Sequence, residues 1–276
     1  MRIYLPDSLR IKLFVVTLCL FLPLWGVVVN AQSVSVLVDE LRHPTWTVRR
    51  DAAKQLGALD WGDLTPDASV IEALAACLSD REPAVRLAAA TAVGDIGPAA
   101  EEAVPALAKV FTNQNNSSDL RAAAVRALGF VGPAAGDAVP EMIGVLTNYH
   151  NRSDLRQAAA EALGAMGPAA HSAAPALAQS LADYNNTSAV RQAAATALGH
   201  VGSPNEETVD VLVDTLTDPD TTVREAAAGA LEELRIEVTS VAPNVPTLDI
   251  TAWRLTGVTL IPLRSCGGVA RGQRGL

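Results

Sequence analysis

Between residues 33 and 235 the apolar and polar positions return in the same order about every 35 residues. An apolar residue followed by arginine marks each return, at Arg49, Arg86, Arg121, Arg156, Arg191 and Arg224, with spacings of 37, 35, 35, 35 and 33. The text after the arginine is nearly copied: RLAAATAVGDIGPAA from Arg86, RAAAVRALGFVGPAA from Arg121, RQAAAEALGAMGPAA from Arg156 and RQAAATALGHVG from Arg191. A repeat of this length is the signature of stacked units, none of which buries its apolar face alone. Counting from the arginine, positions +3 and +6 are mostly alanine and +7 is Leu or Val, as in Ala124, Ala127 and Leu128 or Ala194, Ala197 and Leu198. These offsets share one helical face and predict the packed side, where small residues let helices approach closely.

Each unit reads as two helices. The first runs AVPALAKVF from Ala103, AVPEMIGVL from Ala138 and AAPALAQSL from Ala173, with Pro105, Pro140 and Pro175 suited to a first turn. Ser35, Glu72 and Asp210 hold that place in the outer units and are expected to start a helix there. The second helix starts near the arginine, with Ser118, Ser153, Ser188 and Thr221 as expected N-caps. Asp119 and Asp154 follow where the helix dipole favours a negative charge. The stretches from Gly129 to Pro133 and from Gly164 to Pro168 predict its end, since glycine permits a left-handed turn and proline cannot continue a helix. The turn within the unit is short in units two and six. It is longer and Asn-rich in units three to five, where Asn116, Asn151 and Asn186 each open an N-x-Ser/Thr triplet. Such triplets suit glycosylation of an exported chain, but turn-shaping and capping explain them without a further assumption.

The pattern A-V-P-x-L, then V-R-x-x-A-A-x-A-L-G, then I-G resembles HEAT repeats of the short, phycobilisome-lyase-like form over about 33–235. The resemblance implies an all-α fold: a right-handed α-α superhelix, a HEAT/armadillo-like solenoid of about six two-helix repeats. It also implies that an Asp six residues before the arginine bonds it and locks the stack. Asp80 and Asp218 match that place, His43 fills it in unit one, and the longer turns break the match in units three to five.

Positions +1, +5 and +9 vary from unit to unit. They hold Arg50 and Lys54; Leu87 and Thr91; Arg126 and Phe130; Gln157 and Glu161; Gln192, Thr196 and His200; and Glu225 and Glu233. Residues at i, i+4 and i+8 share a helix face, and stacking would align the six faces into one stripe. In HEAT-like solenoids the second helices line the concave side, which takes the partner. These thirteen residues are therefore the candidate partner-binding set. Phe130, the one aromatic of the stripe, either anchors a partner or tucks against a neighbouring unit, and the second is expected.

The formal charge of −9 is unevenly spread. Residues 1–31 and 236–276 each carry +2, which leaves −13 on 32–235. Such a body opposes nucleic acid and anionic lipid and favours a basic protein partner. No cofactor, and no catalytic or metal-binding set, is expected from the residues. Deoxyhypusine hydroxylases of this repeat class hold iron through His-Glu pairs, but His43, His150, His171 and His200 are followed by Pro44, Asn151, Ser172 and Val201. Cys77, in AALAACL, reads as a core residue rather than a bilin attachment point. An enzyme or enzyme accessory of bilin-lyase or hydroxylase type is the second reading.

At the amino terminus Arg2, Arg10 and Lys12 precede an apolar run from Leu13 to Val29 and a small-residue site ending at Ala31. This is the pattern of a secretory signal, expected to leave a mature chain from Gln32 with no membrane segment, the alternative being an uncleaved membrane anchor. The expected organisation is thus a signal at 1–31, repeats over 32–235 and an irregular tail at 236–276 with one or two short strands around Trp253. The first functional reading is an exported, periplasmic or secreted, non-enzymatic scaffold for protein binding.

Overall fold

Alanine-rich runs with Leu or Val once or twice per turn form twelve α-helices among the described residues, paired into six units. The computed structural model describes residues 31–61, 65–202 and 205–234. The expected signal, apart from Ala31, and the tail 236–276 lie outside these residues. The first helices are α1 (Ala31–Glu40), α3 (Ala68–Cys77), α5 (Val104–Thr112), α7 (Val139–Thr147), α9 (Ala174–Ala182) and α11 (Glu206–Thr215). The second helices are α2 (Trp46–Gly57), α4 (Pro83–Ile96), α6 (Ser118–Val131), α8 (Ser153–Ala165), α10 (Ser188–Val201) and α12 (Thr221–Glu233). Each second helix packs on its own first helix and on the second helices of the neighbouring units, which gives the two-layer right-handed solenoid expected of the pattern.

The second-helix layer is the more tightly spaced of the two, and its sequence explains why. The glycine at +8 of one unit meets the alanine at +6 of the next. A Cβ placed on Gly57 would lie 2.7 Å from the Ala92 Cα, and one on Gly129 would lie 2.7 Å from the Ala162 Cα. Gly94 faces Ala127, Gly164 faces Ala197 and Gly199 faces Ala230 in the same way. Real Cβ atoms do not come as close as the 2.7–2.9 Å found at Gly57, Gly129, Gly164 and Gly199, so glycine is required there for the helix axes to sit at this separation, while at Gly94 the distance of 3.2 Å is tight. The first helices meet through larger side chains such as Leu107, Phe111, Met142 and Leu177, all fully buried. A stack with one closer layer bends toward it, so the second helices line the inner side. The predicted packed positions are buried throughout, including Ala124, Leu128, Leu163, Ala194 and Leu198, each at most 1% exposed. The interlock is absent at both outer faces: +6 of unit one is Gln55 and +8 of unit six is Glu232, and both are exposed.

Local boundaries differ from the sequence expectation in three ways. The N-caps of α6, α8, α10 and α12 lie one residue earlier than expected. Ser117 accepts from the Leu120 amide, Thr187 from Val190 and Asp220 from Thr222, while Arg152 gives α8 no side-chain cap. Ser118, Ser153, Ser188 and Thr221 are the first helical residues instead. The first glycine of each Gly-x-x-Gly lies inside the helix, because it serves the interlock. The second makes the turn, with φ of 71° at Gly97, 79° at Gly132, 59° at Gly167 and 66° at Gly202, a region that glycine enters without a Cβ clash. After it, Gly97–Ala103, Gly132–Ala138 and Gly167–Ala173 form 3₁₀ turns that deliver the proline to the second residue of the next helix. Lacking that proline, α1, α3 and α11 begin one turn earlier, so Ser35, Glu72 and Asp210 sit inside the helix.

Four of the marker arginines, Arg49, Arg121, Arg156 and Arg191, form the second tie between neighbours. Arg49 donates through Nε and Nη2 to Asp80 at 2.6 and 2.9 Å, and Arg191 donates to Asp218 at 3.2 and 3.0 Å. The aspartate thus takes the arginine of the preceding unit, not its own. Its own arginine bonds its carbonyl oxygen instead, Arg86 to Asp80 at 2.8 Å and Arg224 to Asp218 at 2.7 Å. In the longer turns asparagine replaces aspartate: Arg121 donates to Asn151 Oδ1 at 3.1 Å and Arg156 to Asn186 Oδ1 at 2.5 Å. Asn116, Asn151 and Asn186 each return an amide N–H to a carbonyl of their own first helix, at Val110, Val145 and Ser180. These amides are engaged inside the turn, which supports the turn-shaping reading over glycosylation.

Candidate functional site

The variable stripe exists as a surface. From Arg50 and Lys54 in α2 through Leu87 and Thr91 in α4 to Glu225 and Glu233 in α12, its residues are exposed or half-buried. Between α8 and α10 the stripe deepens into a groove of about 410 Å³. Gln157, Glu161, Gln192, Thr196 and His200 line its walls, and Gly164, Ala189 and Ala197 are among the small residues of its floor. The same small residues that draw the second helices together therefore leave a trough between the longer +1, +5 and +9 side chains. Five of the thirteen candidate residues meet there. The others extend the stripe on either side without entering the groove.

Within the stripe, like positions of successive units interact. Arg126 Nε lies 3.6 Å from Glu161, which also accepts from Gln157 at 2.7 Å. His200 Nε2 lies 3.3 Å from Glu233, an ion pair when the imidazole is protonated. Arg50 pairs with Asp51 at 2.7 Å and covers the Trp46 ring at 5.2 Å. The +9 side chain of one unit also lies over the +8 glycine of the unit before it. Asp95 sits over Gly57, Phe130 over Gly94, His200 over Gly164 and Glu233 over Gly199. Partial desolvation there pushes the Asp95 carboxyl above its usual pKa. Phe130 departs from expectation: one ring edge touches Gly94, yet the side chain is 59% exposed. Glycine offers nothing to tuck under, so the ring stays on the surface. With Leu87 at 39% exposed it forms an apolar middle section.

The structure also presents aromatic residues outside the stripe. Tyr149 and Tyr184 are 55% and 63% exposed, on the turns of units four and five. Both stand seven residues before the marker arginine, a matched register that was visible in the sequence. The Tyr149 hydroxyl donates to Asp183, which holds that carboxyl below its usual pKa and pushes the phenol up.

Cys77 is buried beside the Leu41 carbonyl, and burial pushes its thiol to about 11, so it stays protonated and is a poor nucleophile. Among the described residues no group of three His, Cys, Asp or Glu is placed to hold a metal ion. Also among them, no helix is long and apolar enough to cross a membrane.

Comparison with known proteins agrees with this architecture. A family model described as HEAT repeats matches residues 34–129, 112–189 and 186–243. No curated protein matches the sequence. Among solved structures, an engineered protein is 25% identical, with a TM-score of 0.57 over 74% of this chain and 96% of that one. A designed armadillo repeat protein is 18% identical, with a TM-score of 0.55 over 73% of this chain and 99% of that one. The complex of CpcE and CpcF of phycocyanin lyase from a Nostoc species is 24% identical, with a TM-score of 0.52 over 78% of this chain and 80% of that one. The last two likenesses are likenesses of fold. The repeat, the two-layer stack and the matched family model together place this chain in the HEAT-repeat family.

Proposed function

We propose that this chain is an exported, non-enzymatic scaffold that binds a protein segment along the stripe of its second helices. The observation that carries the reading is the groove between α8 and α10, whose walls are made by the residues that vary between otherwise copied units. In a repeat stack, packing fixes the inward positions. The outward ones are left to meet something else. The stripe has a direction: basic at Arg50 and Lys54, apolar at Leu87 and Phe130, acidic at Glu225 and Glu233. A segment with an apolar centre and a basic end over units five and six fits this order. Arg126 and Glu161 offset each other, so the acidic end begins beyond them.

The test is association kinetics with a partner captured from the exported fraction. Changing Glu225 and Glu233 together to Gln should slow association several-fold and flatten its salt dependence, with little change in melting temperature. An unchanged on-rate at low salt would remove the stripe from the binding site. Amino-terminal sequencing of the native protein should begin at Gln32, and an intact Met1 in the membrane fraction would overturn export. Purified protein mixed with a bilin should take up none. Stoichiometric uptake would replace the scaffold reading with that of an enzyme accessory.

A further inference from the structure

A second surface lies on the turn edge of the solenoid, apart from the stripe. Tyr149 and Tyr184 occupy the same place in consecutive units, and each ring rests on the guanidinium of its own unit's marker arginine. Arg156 lies 5.0 Å from the Tyr149 ring centre and Arg191 lies 5.2 Å from that of Tyr184. Both arginines are buried and pinned by the next unit, Arg156 to Asn186 and Arg191 to Asp218. One face of each ring is therefore fixed to a rigid support and the other is turned to solvent. Tyr149 is held further by its hydroxyl bond to Asp183, the residue before Tyr184. Two exposed aromatics already immobilised in the free protein cost little ordering on binding.

We propose that the edge formed by Tyr149, Asp183 and Tyr184 binds a basic, proline-rich segment in the polyproline II conformation, with prolyl rings on the two tyrosines. Three features select this occupant. Packed helices lie ~8–10 Å apart, and one turn of polyproline II, three residues of ~3.1 Å each, advances ~9 Å. Every third residue of such a segment would therefore meet consecutive rings. Aromatic surfaces are also the usual receivers of this conformation, because the segment is ordered before it binds. Charge favours a basic occupant: Asp183 carries the acceptor of Tyr149 and precedes Tyr184, Asp119 is exposed at the start of α6, Arg152 on the same edge is paired with Asp154 at 3.1 Å, and the repeat body carries −13. A neutral glycan is the rival ligand, since sugars also stack on aromatic rings. Three side-chain oxygens of the edge are already engaged within their own turns. Oδ1 of Asn113, Asn148 and Asp183 each takes a backbone amide of its own turn, at 3.0, 2.9 and 2.9 Å. The row is two rings long, because Gln114 holds the place in unit three.

The test uses the full chain and a labelled peptide of repeated Pro-Pro-Arg triplets, with repeated Gly-Ser-Arg as an equally charged control, read by fluorescence anisotropy. The proline peptide should bind and the control should bind at least about fivefold more weakly. Tyr149→Gln and Tyr184→Gln copy a residue the fold already accepts in this register. Each should weaken binding about five- to tenfold with an unchanged melt. Asp183→Asn should weaken it less and flatten its salt dependence. Phe130→Ala, on the stripe, should leave it unchanged. Equal affinity for the two peptides, indifference to either tyrosine substitution, or loss on Phe130→Ala would overturn the proposal. So would tyrosine-dependent binding of a chito-oligosaccharide without binding of the peptide.

Discussion

Units two and six tie to their neighbours with aspartate, and units four and five do so with asparagine. In the first kind, Asp80 or Asp218 takes two parallel N–H groups from the preceding unit's arginine, including Nε. In the second, Asn151 or Asn186 takes one N–H from Nη1 and spends its own amide on the first helix of its unit. The remaining arginine groups are treated unevenly. Arg121 Nε reaches the Phe111 carbonyl, whereas Arg156 Nε is buried without a protein partner. The aspartate turn is thus a charge pair confined to a short loop. The asparagine turn is a neutral lock in a longer loop, and the added length carries Tyr149 and Tyr184 to the surface. A repeat protein can hold its stack by either device, and choosing the weaker one frees the turn for other work.

The comparison is broken most directly at unit six. Asp218 is 2% exposed and Asp218→Ala would strand the buried Arg191, so chemical denaturation should show a loss of about 3–5 kcal/mol. Asn186→Ala removes a neutral acceptor and donor, and should cost about 1–3 kcal/mol in the same measurement. Equal losses would mean that the two turns are energetically alike. A pH series sharpens the point. The Arg49 guanidinium holds the Asp80 carboxyl below its usual pKa. A depressed carboxyl stabilises the fold above the unfolded-state value of about 3.9, and that contribution is lost as pH falls through the folded value. Asp80→Asn should therefore be less stable than the parent at neutral pH, with the difference closing below about pH 4. A constant difference across that range would deny the charge pair its role. The smallest effect is expected on the stripe, where Gln157→Ala should change stability by no more than about 0.5 kcal/mol. The thermal melt should hardly move.

How much of this was legible depended on repetition. The six arginines and the alanines after them announced the stack, because a pattern copied six times reports packing rather than local propensity. The stripe followed by subtraction, and the structure gathers Gln157, Glu161, Gln192, Thr196 and His200 around one groove. What failed was local or relational. Ser118 and Ser117 are equally good caps on paper, and only the path of the turn decides between them. The partner of Asp80 lies 31 residues away in the preceding unit, which spacing within one repeat does not reveal. Tyr149 and Tyr184 share a register, but it recurs in only two turns, with Gln114 at the same place in unit three, so repetition does not single it out. Phe130 was expected to find a neighbour, but its neighbour is a glycine needed elsewhere.

The Gly–Ala interlock carries a hazard that the two ends remove. A surface that fits the next unit of the same chain would also fit the first unit of another copy, a head-to-tail contact that never closes and would grow into fibres. Such growth would bring Glu232 against Gln55 in the place where glycine meets alanine. Two long polar side chains cannot occupy a space that excludes even one extra methyl group. Replacing both with the interior residues, Gln55→Ala and Glu232→Gly, would turn a molecule of set length into a monomer for polymerisation. Light scattering that rises with protein concentration would report it.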